Sequence, residues 1–479
     1  MRACVRACAP PPPPPPPTRA ASTPMKLKRA MRHAIELDDD VVEAIFLHVM
    51  SVKEVGRLSQ ASIQFRRVSA TAVVQARWAL RIRMMKHVTG MCQPDLVSID
   101  DRMDPHQLPA AAMSEVAGRL FTSHRSIDNK QWLTAWKVTP GSLPTREHRT
   151  QIRGEYSAGA VITPDDQRLV LSSWRGGAQT RSVARPTVRP GAVVTSSMKG
   201  CDKDIQHTAI AIHGDHILCS ANWEGTLYTH DLRDGRLIDM IDLPSGRCNS
   251  MATDGQGRLF CACDYALLAL RVREDGTFVV GRYGTITARD CDLLAHTRGG
   301  GAKTVIIHND KLFAVCTDED CQNERRMVLL GWELSGELPQ YSTDAPDFLF
   351  SIDLEGRDAL PRLAVLDDLL FVGGTERPTP FTWSASIAVY ELRRHLWREE
   401  RLPNPRTYPR SLSSLLGVKV DALRRNGRYR GPALLGRVPV AVSPNDIRHI
   451  VSMLCPAAGH LLVMSTQDSL DQPGVILVY

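Results

Sequence analysis

The sequence lacks several features that would assign it to a membrane, secreted or metal-binding class. No window holds the ~18 uninterrupted apolar residues of a membrane helix, and the start, MRACVRACA, has no signal-peptide run. The 12 cysteines are dispersed through 479 residues, and no close pair is joined by a second pair at zinc-site spacing. These absences predict an intracellular protein, cytoplasmic or nuclear, with no membrane partner and no structural metal.

Catalytic signatures are also missing. The sequence contains no nucleophile elbow and no pair of carboxylates at a fixed spacing. The stretch RGGGAKT, 298–304, resembles a phosphate-binding loop, but Ala302 separates Gly301 from Lys303, and the first glycine of the required spacing is absent. We interpret it as a turn between strands, and we expect neither an enzyme nor a cofactor.

One group of histidines is a candidate metal site. His207, His213 and His216 lie close in sequence to Cys219, and all four are residue types that bind metals. The stretch HGDH falls where the repeat described below places a tight turn before a strand, so we interpret these residues as turn histidines.

The net charge of +7 is unevenly distributed. Residues 1–33 hold seven basic side chains and no acidic one, and residues 401–437 hold nine basic side chains against the single Asp421. The remainder of the chain therefore carries a net charge of −8. A nucleic-acid binder usually has a basic fold, so no nucleic acid is expected as a partner.

The chain begins with a tail and a helical segment. Residues 1–36 include eight consecutive prolines, Pro10–Pro17, which favour an extended, disordered spacer. From Leu37 the apolar residues recur at steps of three and four, which predicts a helix capped by Asp38–Asp40. A capping box at 51–54 and a third apolar stretch from Ser62 predict two more helices, so that 37–88 forms a short helical domain.

The rest of the chain is predicted to be all-β and repetitive. A strand rich in small residues occurs seven times, as RLFTS, RLVLSS, HILCSA, RLFCAC, KLFAVC, LLFVGG and HLLVMS. A second strand with a polar end follows it at 131–138, 225–232, 265–272, 327–334 and 386–393. Repeats of this kind are typical of a β-propeller with four-stranded blades over 112–479, with seven blades, or six as the alternative.

The last repeat stops short of a full blade. The final copy ends at GVILVY, so its outer strand must come from elsewhere. We predict that Leu96–Ile99, within a linker at 89–111, supplies this strand and pairs with 475–478.

The helical segment resembles an F-box, the motif by which substrate receptors dock onto the Skp-type adaptor of cullin-RING ubiquitin ligases. The match rests on Leu37, Asp39, Val41, Glu43, Ile45, Phe46, Val49, Val52, Lys53, Val55, Leu58 and Phe65–Arg67. The β repeats are similar to WD-repeat propellers, with kelch-type and chromosome-condensation-regulator-type propellers left open.

The two resemblances together imply a substrate-recognition subunit of a Skp-cullin-F-box type ubiquitin ligase. They imply a Skp-type adaptor and, through it, a cullin as partners, with an unknown protein target on the propeller. The residues implied in adaptor binding are Leu37, Val41, Ile45, Phe46, Val49, Val52, Leu58 and Phe65. A propeller scaffold without a ubiquitin role and an enzyme with an active site in the channel are the alternatives.

A basic insertion at about 401–437 is the remaining candidate binding feature. Its arginines pair readily with carboxylates or phosphates, so it is a candidate contact for an acidic partner, the alternative being a solvated loop. The residues concerned are Arg424, Arg425, Arg428 and Arg430.

Overall fold

The chain divides into two compact units, Met1–Gln75 and Ala76–Tyr479. The structure is a computed structural model. It describes residues 81–102, 110–114, 116–126, 128–139, 142–152, 159–172, 178–186, 193–194, 207–279, 292–296, 301–319, 325–334, 347–354, 361–366, 368–379, 382–393, 398–400, 429–440, 448–454, 461–467 and 473–479. All of these residues belong to the second unit. No helix among them is long and apolar enough to cross a membrane.

The described residues are mostly β, and their strands form seven antiparallel sheets of four strands. Sheet 1 contains β2 (Ala110–Ser114), β3 (Arg119–Arg125), β4 (Gln131–Lys137) and β5 (Thr145–Ile152). Sheet 2 contains β6 (Gly159–Ile162), β7 (Arg168–Ser172), β8 (Ala178–Ser182) and β9 (Val193–Val194). Sheet 3 contains β10 (His207–His213), β11 (Ile217–Asn222), β12 (Thr226–Asp231) and β13 (Leu237–Asp242). Sheet 4 contains β14 (Cys248–Thr253), β15 (Arg258–Cys263), β16 (Ala266–Arg271) and β17 (Asp292–His296).

The remaining sheets follow the same plan with two additions. Sheet 5 contains β18 (Ala302–His308), β19 (Lys311–Glu319), β20 (Arg325–Glu333) and β21 (Asp347–Leu354). Sheet 6 contains β22 (Arg362–Leu366), β23 (Leu369–Thr379), β24 (Thr382–Glu391) and β27 (Ala433–Pro439). Between its last two strands lies a two-stranded sheet, β25 (Arg398–Glu400) and β26 (Tyr429–Gly431). Sheet 7 contains β28 (Arg448–Leu454), β29 (Leu462–Gln467), β30 (Pro473–Val478) and β1 (Asp95–Arg102).

The sheets contact one another in a closed order. Their first strands meet in the sequence β2, β6, β10, β14, β18, β22, β28 and again β2. In the described part of the chain, each neighbouring pair of sheets encloses one apolar cluster, including the pair formed by sheets 7 and 1. Since the second strands are covered on both faces, they read as continuous apolar runs, such as β15, in which every residue is buried.

The seven copies of the small-residue strand predicted from the sequence are the second strands of the seven sheets. The residue after each third strand donates its backbone N–H, at 2.7 to 3.0 Å, to the carbonyl of the residue before the second strand. The donors are Val138, Val183, Leu232, Val272, Leu334, Leu392 and Tyr479. Each sheet therefore closes its central hairpin in the same way, which is the structural counterpart of the sequence repeat.

The strand expected at 96–99 lies where the sequence analysis put it. β1 runs antiparallel to β30, with Leu96 opposite Leu477 and Ser98 opposite Val475. Ile99 is 2% exposed and joins the apolar cluster between sheets 7 and 1. Sheet 7 thus takes its fourth strand from the other end of the unit, and β30 is paired on both sides.

The described residues begin with a helical segment, α1 at 81–88, which packs on the β sheets. Met84 is 1% exposed within the apolar cluster of sheets 6 and 7, and the His87 ring meets Tyr479 edge-on, with 5.3 Å between centroids. Arg81 donates a 3.2 Å hydrogen bond to Glu391 at the end of β24. Although burial opposes it, hydrogen bonding from Arg393 and the charge of Arg81 hold the pKa of Glu391 below its usual value.

Three predicted boundaries differ from those observed. The division between the units falls after Gln75, so the predicted helical domain 37–88 extends across it, and its last residues, 81–88, are α1 of the second unit. The predicted linker 89–111 contains the expected closing strand as β1, but its last two residues already belong to β2, which begins at Ala110 rather than at 112. The predicted basic insertion 401–437 includes β26 and most of β27, because the backbone from Ala433 onward pairs with β24 as the outer strand of sheet 6.

Candidate functional site

The strands of each sheet start or stop at one of two edges, and these two edges carry different connections. Because neighbouring strands run in opposite directions, the turns from second to third strand lie at the same edge as the connections between sheets. We call this the front edge, and we call the opposite edge, with the first-to-second and third-to-fourth connections, the back edge. The connection from β24 to β27, which contains residues 401–432 of the predicted insertion, therefore starts and ends at the back edge.

The front edge of sheets 3 and 4 carries two exposed aromatic side chains. Trp223 is 50% exposed in the turn between β11 and β12, and Tyr265 is 56% exposed in the turn between β15 and β16. Arg247 lies between them in the chain connecting sheets 3 and 4, and its guanidinium carbon is 3.6 Å from the centroid of the Trp223 ring. We call Trp223, Arg247 and Tyr265 the aromatic-arginine patch.

The turn that presents Trp223 is built by its neighbours. The side-chain oxygen of the buried Asn222 accepts a 2.7 Å hydrogen bond from the backbone N–H of Thr226. Gly225 adopts φ +90°, a conformation that side chains with Cβ rarely adopt. A Cβ there would lie 2.7 Å from the carbonyl oxygen of Gly246, so the turn presses directly against the connection that carries Arg247.

Tyr265 meets the same connection from the other side. A Cβ built on Gly246 would lie 3.5 Å from the Tyr265 ring, which places that glycine beside the aromatic side chain. The backbone N–H of Asp264 donates a 3.0 Å hydrogen bond to the carbonyl of Arg247. The patch therefore runs from the Gly225 turn of sheet 3 through Gly246 to Tyr265 of sheet 4.

The arginine of the patch is held in a partly desolvated position. Burial lowers the pKa of Arg247, and the nearby Asp264 opposes that shift. The Nε–H of Arg247 is buried and donates to no acceptor among the described residues. Asp264 is engaged elsewhere, since the Asn249 amide donates to its carboxylate at 3.1 Å.

A second aromatic-arginine pair lies on sheet 1. The guanidinium carbon of Arg149 is 4.0 Å from the centroid of Trp132, the second residue of β4, near the front edge. The Trp132 indole N–H donates to the hydroxyl of Ser126 at 3.3 Å. Trp132 thus differs from Trp223, whose N–H makes no such bond to another described residue.

The residues of the patch were not predicted from the sequence. A signal for two of them exists in the repeat, since Trp174, Trp223 and Tyr265 each follow a copy of the small-residue strand by one or two positions. Trp174 lies outside the described residues. The position of Arg247 has no such signal, because its contact with Trp223 comes from the meeting of two loops.

The sequence-predicted site residues mostly lie outside the described residues. This applies to Leu37, Val41, Ile45, Phe46, Val49, Val52, Leu58 and Phe65, and to Arg424, Arg425 and Arg428. Arg430 lies in β26, where its backbone is opposite Glu399.

The turn predicted at HGDH is present, but of the three histidines only His216 lies in it, since His207 begins β10. His213 ends β10, and 214–216 form the turn to β11, with Gly214 at φ +57°. Burial lowers the pKa of His213, and the charge of Asp254 opposes it. Among the described residues, no three histidine, cysteine or acidic side chains are arranged to hold a metal ion.

No protein-family model matches the chain, and no curated protein matches it. Among solved structures, the chain is similar to Kuenenia stuttgartiensis Hydrazine Synthase, with 12% identity and a TM-score of 0.49. That alignment covers 78% of this chain and 98% of the other. A likeness at this level says nothing about what this chain binds.

Proposed function

We propose that the chain is a non-catalytic substrate-recognition subunit of a Skp-cullin-F-box type ubiquitin ligase. Residues 76–479 act as a seven-bladed β-propeller that holds a protein target, and segment 37–68 docks onto a Skp-type adaptor and, through it, a cullin. The ubiquitin is transferred by other subunits. The receptor raises the effective concentration of the target near them.

The observation that carries this proposal is the aromatic-arginine patch on a closed set of seven sheets. In a closed set each sheet packs against a neighbouring sheet on both faces, which makes a rigid platform, and Trp223 and Tyr265 at about half exposure supply the large amphipathic side chains that dominate protein interfaces. The separate unit Met1–Gln75 contains the F-box-like segment, so docking and target binding fall on different parts of the chain.

Adaptor co-purification tests the docking half of the proposal. The full chain should retain a Skp-type adaptor and a cullin, and Ile45→Ala with Phe46→Ala should weaken that binding by about 2 kcal/mol or more because the variant loses two apolar anchors. Trp223→Ala is the matched control and should retain the adaptor. A wild-type chain that brings down neither adaptor nor cullin removes the ligase role and leaves a propeller scaffold.

A further inference from the structure

Three cysteines of sheet 4 lie together in the apolar cluster between sheets 3 and 4. Cys248 is the first residue of β14, Cys263 is the last residue of β15, and Cys261 lies two positions before it. All three are fully buried, and they are present as thiols rather than as a disulfide. Because residues two apart on a strand point to the same face, Cys261 and Cys263 both face the cluster that contains Cys248.

Cys248 and Cys263 lie directly opposite each other on the two strands. The backbone N–H of Asp264 donates a 3.0 Å hydrogen bond to the carbonyl of Arg247, so the ladder bond joins the residues that flank the pair. The two cysteines are therefore a non-hydrogen-bonded pair, whose Cα atoms are about 4.5 Å apart and whose side chains are the closest across a sheet. A disulfide needs a Cα separation of roughly 4.4–6.8 Å. The backbone thus already has the spacing of a disulfide at this pair.

The thiols of the pair are also in contact. A hydrogen bond with Cys248, together with burial, raises the pKa of the Cys263 thiol. Burial and a hydrogen bond with Cys261 raise the pKa of the Cys248 thiol. Cys261 is only a diagonal neighbour of Cys248, and diagonal Cα atoms are about 7–8 Å apart, beyond the roughly 7 Å that a disulfide spans. Cys263 is therefore the partner that the backbone favours for Cys248.

We propose that Cys248 and Cys263 are a modification site, at which a peroxide forms a cross-strand disulfide. Hydrogen peroxide oxidises the Cys248 thiol to a sulfenic acid and is itself reduced to one water. The Cys263 thiol then attacks the sulfenic sulfur, the S–S bond forms, and the hydroxyl leaves as a second water. Two thiols and one peroxide thus give one disulfide and two waters.

The peroxide gains access where the strands end. The register shifts between Cys248 and Ser250, and an irregularity of this kind disrupts the ladder beside the pair. Local opening of such a strand end needs less free energy than unfolding of the whole sheet. The closed pair reacts slowly, because the thiolate is the reactive form and both thiols are held protonated. Oxidation therefore follows local opening, and the closed sheet then shields the disulfide from reducing thiols.

The disulfide braces the two strand ends that lead into the aromatic-arginine patch. Arg247 immediately precedes Cys248, and Tyr265 follows Cys263 by two positions. Oxidation of the pair therefore restrains the backbone at the base of the patch. This modification goes beyond the proposed ligase role and does not depend on it.

Peptide mapping of the full chain after peroxide treatment tests the proposal. Exposed thiols are first blocked by brief alkylation of the folded protein, hydrogen peroxide is added, and the remaining thiols are alkylated in urea. Trypsin cleaves after arginine and therefore separates Cys248, in peptide 248–258, from Cys263, in peptide 259–271. The two peptides should be recovered as one disulfide-linked species, with fragments that place the bond on Cys263.

Three variants serve as comparisons. Cys263→Ala should abolish the linked species, and Cys261→Ala should retain it. Cys219→Ala is the matched control, because it makes the same truncation at an equally buried cysteine of the same cluster, and it should also retain the link. Urea unfolding without a reducing agent gives a second measurement. Because a disulfide constrains the unfolded chain, oxidation should raise the urea midpoint of the wild type but not that of Cys263→Ala.

Several results would overturn the proposal. One is that the two peptides stay unlinked at a peroxide concentration that oxidises the exposed Cys92 in an unblocked sample. Others are that the wild-type bond lies on Cys261, that Cys263→Ala forms the linked species as readily as the wild type, or that the linked protein unfolds at the same urea concentration as the reduced one. The map of the wild-type chain decides the position of the bond even if Cys263→Ala does not fold.

Discussion

Arg258 donates a 3.1 Å hydrogen bond to the main-chain carbonyl of Leu334, which joins the second strand of sheet 4 to the end of the third strand of sheet 5. The same bond is made by Arg119 to Val183 and by Arg168 to Leu232, each time from one sheet to the next. The first residue of the repeated strand therefore fastens neighbouring sheets together wherever it is arginine.

Among these three arginines, replacement of Arg258 should destabilise the protein most. Its guanidinium also forms an ion pair with Asp254, and both side chains are buried, so Arg258→Met should lower the free energy of unfolding by about 3–5 kcal/mol. Arg168→Met, which removes a hydrogen bond at a half-buried site, should cost about 1.5 kcal/mol. Urea unfolding measures both, and equal losses would contradict the role given to the buried ion pair.

Trp136 and Thr122 should be energetically coupled. The indole N–H of the buried Trp136 donates a 3.0 Å hydrogen bond to the Thr122 hydroxyl. Thr122→Val leaves that N–H without an acceptor and should cost about 1–3 kcal/mol, whereas the same change in a Trp136→Phe background should cost less. A double-mutant cycle by chemical unfolding measures the difference, and a coupling energy of zero would show that the bond adds nothing.

Acid should destabilise the protein through His230. Its side chain is 1% exposed, and burial lowers its pKa to about 4. The unfolded chain, with a pKa near 6.5, binds the proton first, so stability is full above that pH and falls as the pH drops toward 4.

His230→Leu should remove part of this pH dependence. The pKa difference corresponds to about 3 kcal/mol between neutral pH and pH 4. Thermal or urea unfolding between these pH values measures it. His216→Leu, in the turn before β11, is the matched control, and an unchanged slope in the His230 variant would refute the assignment.

Gly225→Ala should disturb the aromatic-arginine patch far more than Gly255→Ala. Both glycines have positive φ, at +90° and +72°. A Cβ at 225 meets the carbonyl of Gly246 at 2.7 Å, while one at 255 has nothing within 4 Å. Both variants carry backbone strain of about 1–2 kcal/mol, but only the first adds a steric clash, so its unfolding free energy should fall further and its Trp223 fluorescence should change. Indistinguishable variants would argue against the tight contact of the two loops.

The sequence predicted the central strands well because they are buried on both faces. A strand between two neighbouring sheets must be apolar at nearly every position, and small residues fit where sheets pack closely, so copies such as RLFCAC stand out. The fourth strands were harder to predict. In β5, TREHRTQI, only Ile152 is buried, and such a strand looks like a loop in the sequence.

The patch could not be predicted for a different reason. Trp223 and Tyr265 occupy comparable places in two repeats, but their importance depends on exposure, which a sequence does not give. Arg247 reaches Trp223 because the turn at Gly225 presses on the connection at Gly246, a contact between residues with no shared pattern. A repeat can be recognised from a short stretch of sequence. The site, in contrast, is formed by contacts between different repeats, which the sequence pattern does not show.

The pairing of β1 with β30 has a consequence for how the protein folds. Leu96 must find Leu477, 381 positions further along the chain, before sheet 7 is complete. During synthesis β1 lacks its partner strand while six sheets form, so Ile99 is without the apolar residues that sheet 7 contributes to its cluster. Contacts this distant in sequence slow folding, and we expect the last slow phase of refolding to be the docking of β1.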